Sequence, residues 1–117
     1  MPPSRPANSS RSGSTDKDFH VHFRLTSSKP MAPKVIRSLQ RVLPVFQQQP
    51  GFIGCNLLHA HDRKTIVLHL RWRTKADHEA CQKGADFSPV AKDWEAVFAA
   101  GRVRVETYDS RASLQGP

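Results

Sequence analysis

The chain reads as a ferredoxin-like α+β sandwich of order β-α-β-β-α-β, and three observations lead there. Runs near Phe19–Thr26, Lys64–Arg73 and Arg102–Asp109 alternate apolar and polar side chains, the mark of half-buried strands. Between the first two lies an apolar stripe at helical spacing, Val35, Ile36, Leu39, Val42, Leu43 and Phe46. A second helical stretch, interrupted at Gly84, separates the last two.

Taken in order, Phe19-His20-Val21-His22-Phe23-Arg24-Leu25-Thr26 is the first strand. Ser27 to Pro33 has turn composition, and Pro33 suits the first position of a helix. Pro44 removes a backbone donor and crowds the carbonyl four residues back, which predicts a kink or an early end there. Pro50-Gly51 closes that segment, and Phe52 to Ala60 follows as a second, less regular strand with a turn at His61-Asp62-Arg63. In the third strand Ile66, Leu68, Leu70 and Trp72 face one way and Val67, His69, Arg71 and Arg73 the other. Thr74-x-x-Asp77 has the form of a capping box. Ser88-Pro89 restarts a helix whose apolar side is Val90, Trp94, Val97 and Phe98, ending at Gly101. Val103 and Val105 alternate with Arg104, Glu106 and Tyr108 in the fourth strand. In this topology strands one and three are central, both helices cover one sheet face, and the other face carries His20, His22, Arg24, His69, Arg71, Arg104, Glu106 and Tyr108.

A length of 117 residues leaves room for one domain. Residues 1–18 hold no Phe, Leu, Ile, Val or Trp and read as a disordered tail, 19–109 as the domain, and 110–117 as a flexible C-terminal tail. No apolar run approaches the ~18 residues of a membrane span. The formal net charge is +8, and the leader accounts for only +1 of it, so the excess belongs to the domain. Such a charge suits an anionic partner or simple solubility. Cys55 and Cys81 form neither a C-x-x-C pair nor a disulfide framework, which points to a reducing cytoplasm. A fold this small buries only roughly 60–65% of its unfolded surface, so a substrate pocket argues for a homodimer.

The element order, Pro50-Gly51-Phe52-Ile53-Gly54 leading into strand two, and Trp72 closing strand three before a capped helix together resemble the antibiotic biosynthesis monooxygenase family. The resemblance spans residues 19–109. It implies a dimeric α+β barrel whose two sheets pack face to face, with a pocket in each protomer between sheet and helices. It further implies an oxidoreductase, a cofactor-independent monooxygenase that oxidises a small phenolic, quinol or polyketide-type aromatic with molecular oxygen. The alternative within the family is a non-catalytic dimeric ligand-binding protein. The chemistry asks for a dry apolar pocket, hydrogen-bond donors for a phenolate and a proton acceptor.

By that resemblance the catalytic candidates are Trp72, as a pocket donor through its indole N–H, and His78, standing where anthrone-oxidising members have a tyrosine. Their pocket asparagine corresponds to Leu68, and their helical arginine to Lys92 or Asp93. Substrate-binding candidates are Phe23, Asn56, Phe87, Trp94 and Phe98, with Asn56 facing the helices only if strand two keeps the phase of Phe52. Phe52 joins the same aromatic set. The heme-degrading branch is excluded, because its positions read Phe23, Cys81 and about Ala91, leaving no axial His.

On the open face His20, His22 and His69 come together like metal ligands, since alternate residues of neighbouring strands share a face. Arg24 and Arg71 would repel a cation there, so the expectation is no metal at these histidines, and the resemblance implies no cofactor. RNA-binding modules of this topology stack bases on open-face aromatics of strands one and three. Here those positions carry His and Arg, and nucleic acid is not the expected partner.

Overall fold

A computed structural model describes residues 18–117. The expected tail, residues 1–18, lies outside the described residues except for Asp18. Asp18 is buried, and its carbonyl accepts from the Ser110 N–H at 3.2 Å. The elements are β1 (Phe19–Ser27), α1 (Ala32–Gln47), β2 (Phe52–His59), β3 (Thr65–Trp72), α2 (Lys75–Gly84), a single 3-10 turn (Ser88–Val90), α3 (Ala91–Ala99) and β4 (Gly101–Asp109). All four strands form one antiparallel sheet in the order β2-β3-β1-β4, with β1 and β3 central as the ferredoxin-like reading requires. Ser110 onward has no regular secondary structure.

Alternation decides which sheet face is core. Phe19, Val21, Phe23 and Leu25 of β1 interleave with Ile66, Leu68, Leu70 and Trp72 of β3, and all eight are buried. Val35, Leu39, Val42 and Phe46 of α1 close over them, joined by Cys81 of α2 and Val97 of α3. Among the described residues no helix is long and apolar enough to cross a membrane.

Two expectations are corrected. The early end expected at Pro44 does not occur, and the first helix runs on to Gln47. Both Pro44 and Gln40, whose carbonyl loses its donor, lie on the exposed side, where solvent can reach that oxygen. Buried Val42 and Phe46 anchor the helix on either side of the ring. The second correction concerns β2, where the register shifts between Phe52 and Gly54 and Ile53 becomes an extra, bulged residue. Downstream of the bulge Cys55 and Leu57 turn toward the helices, while Asn56 pairs with His69 and lies exposed on the opposite face. Asn56 is therefore not a helix-side residue, because one inserted residue inverts the face of everything after it.

Candidate functional site

Between the sheet and the two C-terminal helices lies a cavity of about 350 Å³. Its floor is hydrocarbon, formed by Val21 and Phe23 of β1, Leu68 and Leu70 of β3, and Val105 of β4. Phe46 and Phe87 stand on one side, edge to face at 5.2 Å between ring centroids. Trp94 is stacked between two of these rings, 5.5 Å from Phe23 and 5.8 Å from Phe87. Phe98 caps the stack edge-on against Phe23 and Trp94 and remains 49% exposed. Four of the aromatic candidates, Phe23, Phe87, Trp94 and Phe98, are thus brought together in one lining.

The same three aromatics, Phe87, Trp94 and Phe98, also border a second, open groove of about 640 Å³ running outside α3 past Ala91 and Glu95. The cavity and the groove share that wall.

Polarity enters from α2. Thr74 caps this helix, its hydroxyl oxygen accepting from the Asp77 N–H at 3.1 Å and its O–H donating to the Asp77 carboxylate at 3.0 Å. Arg73 adds a 3.3 Å contact to the same carboxylate. The cap fixes the helical phase and directs His78, Cys81 and Gln82 into the cavity lining. His78 packs against Phe19 and Trp72, with centroids 5.5 and 6.0 Å apart. Burial pushes its imidazole below the ordinary value, opposed by the nearby Glu79 carboxylate. A neutral imidazole at the edge of an apolar chamber is a competent proton acceptor. Burial likewise raises the Cys81 thiol, which keeps it protonated and unreactive.

Trp72 does not reach the cavity. It is fully buried one layer behind His78, between Phe46 and Phe52, and its indole N–H has no partner among the described residues. The expected direct contact between this N–H and a substrate oxygen does not fit that position, because the Trp72 ring lies behind the cavity lining. Phe52 belongs to the same layer, stacked edge-on against Trp72 at 5.4 Å. Asn56 sits across the sheet. Lys92 is exposed and Asp93 is held by Arg41 at 2.7 Å, so neither takes part in the lining, whereas Leu68 does.

The sequence reading missed Gln82, Cys81, Phe46 and Val105 as lining residues. Phe46 and Val105 look like ordinary core positions. Gln82 carried a usable signal, since it follows His78 by four residues and so shares its helix face.

On the opposite sheet face the three histidines do converge. His20 Nδ1 lies 2.8 Å from His69 Nε2, and His22 meets His69 edge-on at 4.5 Å and Tyr108 at 5.1 Å. A separation of 2.8 Å is that of a hydrogen bond, one ring donating to the other's lone pair, and the shared lone pair is spent. Among the described residues no group of three or more His, Cys, Asp or Glu has an arrangement suited to a metal ion.

Comparison with known proteins places this geometry in context. The family model described as antibiotic biosynthesis monooxygenase matches residues 18–93, well over half of the chain. No curated protein matches by sequence. Among solved structures, a variant of SnoaB, a cofactor-independent oxygenase from Streptomyces nogalater, is similar with a TM-score of 0.73 at 17% identity, covering 86% of this chain and 99% of that one. A conserved protein from Methanosarcina mazei gives 0.70 at 5% identity, with 83% and 96% covered. The ActVA-Orf6 monooxygenase of Streptomyces coelicolor, solved with nanaomycin D, gives 0.69 at 13% identity, with 87% and 95% covered.

Proposed function

The chain belongs to the antibiotic biosynthesis monooxygenase family, and from that premise we propose that it oxidises a small phenolic, quinol or polyketide-type aromatic with molecular oxygen, without a cofactor. One observation carries the reading: the His78 imidazole is a polar group at the edge of a cavity lined mainly by aromatic and aliphatic side chains. The flat chamber lined by Phe23, Trp94 and Phe87 accepts an aromatic ring by stacking. His78 takes the phenolic proton, and the resulting phenolate is electron-rich enough to reduce oxygen. One oxygen atom enters a ring or benzylic carbon, the other leaves as water with the two displaced hydrogens, and all four electrons come from the substrate. Trp72 acts here as a positioning residue, its indole packed against the His78 ring.

The working unit we propose is a homodimer joined through the open sheet face, where Leu58 and Tyr108 are 53% and 45% exposed. Equilibrium sedimentation reads that assembly directly.

The activity is tested by oxygen uptake of chelator-treated protein with 1-naphthol, anthrone and hydroquinone panels. His78→Ala should lower kcat by about a hundredfold, the usual scale of a general base. Binding of these aromatics without any oxygen uptake by the wild type would instead support the ligand-binding alternative.

A further inference from the structure

The register of the sheet gathers cations on its open face. Arg24 of β1 stands directly across from Arg104 of β4, and Arg102 follows on the same ladder, opposite Thr26. Phe23 and Leu25 point into the core, so Arg24 and its partners leave the sheet on the side away from the helices. Arg71 joins them from β3. It pairs with His20 and with Gly54, and a Cβ at Gly54 would stand 2.6 Å from the Arg71 Nη2, so glycine there clears room for the guanidinium. Among the described residues none of these four arginines is in an ion pair; the pairs that form, Arg41–Asp93 and Arg73–Asp77, belong to the helices and their caps. Of the carboxylates, Glu106 bears on the Tyr108 phenol and Asp18 on His20. One row across the face reads Leu58, Val67, Arg24, Arg104, apolar at the β2 edge and cationic at the β4 edge.

Like charges directly across a ladder repel. In a lone protomer, water and salt screen them over about 8–10 Å. In the homodimer proposed above the same face meets its own copy. The apolar end of the row gains from being covered, while the cations are doubled in a seam that excludes bulk water, where unpaired charge is costly. We infer that the open face holds a doubly charged oxyanion of the phosphate or sulfate class at Arg24 and Arg104, and that this ion is the counter-charge on which two copies close. The inference rests on the proposed homodimer and adds a ligand site to it. An oxyanion suits the pair because each guanidinium presents a planar fork of N–H donors, and a tetrahedral anion accepts from two forks at once, where chloride has no matching edges. Arg71 and Arg102 add to the positive potential around the site.

The experiment is sedimentation equilibrium of the full chain at about pH 8, where histidines are neutral, in sodium chloride and in sodium phosphate of equal ionic strength. The dimer dissociation constant should be about tenfold lower in phosphate, the effect of one bridging site whose ion is present at about ten times its own dissociation constant. Arg24→Gln and Arg104→Gln should each abolish that difference, and both should dimerise more tightly than wild type in chloride, because the repulsion is relieved. Lys92→Gln removes the same charge from an exposed position on α3 and should leave the response to phosphate intact. Equal dimerisation of the wild type in the two salts, or a response that survives in either arginine variant, overturns the oxyanion site and leaves the homodimer standing. A response lost equally in Lys92→Gln overturns the site as well, reducing it to general charge screening. A wild type that stays monomeric in both salts overturns the homodimer, and this inference with it.

Discussion

Trp72 shows how much one side chain owes to its depth. Its indole is fully buried among Phe46, Phe52 and His78, with an N–H that finds no acceptor among the described residues. Packing and polarity therefore pull in opposite directions at this residue. Trp72→Ala should destabilise the fold by about 3–5 kcal/mol, the cost of an aromatic cavity in a core. Trp72→Phe retains most of the contacts and removes an unpaired donor, so its urea midpoint should fall by the equivalent of less than about 1.5 kcal/mol. The alternating row ending at Trp72 made its sheet face legible in the sequence. Its place behind His78 was not legible, because a period of two gives the face of a strand residue and says nothing of what stands between it and a cavity.

At the scale of elements, α2 is the part on which the site depends. Cys81 is its single fully buried residue, so little packing holds it, and its register rests on the Thr74 cap. Thr74→Ala should cost about 1 kcal/mol of stability. It should also fray the first turns, and hydrogen exchange should accelerate from Lys75 to His78 while α1 stays protected. The helix is pinned a second way. Gly51 sits at φ 82°, and a Cβ there would fall on the Asp77 carboxylate, so the approach to β2 presses directly on the cap. The capping residues were readable in advance because their chemistry is local. The β2 bulge was not, since nothing in Phe52-Ile53-Gly54-Cys55-Asn56 states which residue the ladder will skip, and that skip alone moved Asn56 across the sheet. Pro44 misled for a related reason: its cost depends on whether the freed carbonyl meets water, a property of the folded surface.

For the whole molecule, the open face sets the response to acid. Burial leads in lowering His20 and His69, with Asp18 opposing it at His20 and Arg71 and the neighbouring imidazoles adding to it, and His69 falls from 6.5 to about 4. Both groups are harder to protonate folded than unfolded, so the unfolded chain binds more protons between those values. Stability should hold above the ordinary histidine range and decline as pH drops from about 6.5 toward 4. Thermal unfolding across that window checks the slope, and His69→Gln should flatten it. Arg24 lies directly across from Arg104 on the same face, a like-charge pair that adds to the repulsion. The wall of Phe87, Trp94 and Phe98 is common to the cavity and the outer groove. With Phe98 half in solvent, its ring is the mobile part of that wall, and exposed side chains change rotamer on the picosecond-to-nanosecond scale where a hinged lid would take microseconds. A passage controlled by one side chain leaves no trace in the backbone, so changing the size of residue 98 and timing ligand arrival and departure tells whether the groove and the cavity communicate there.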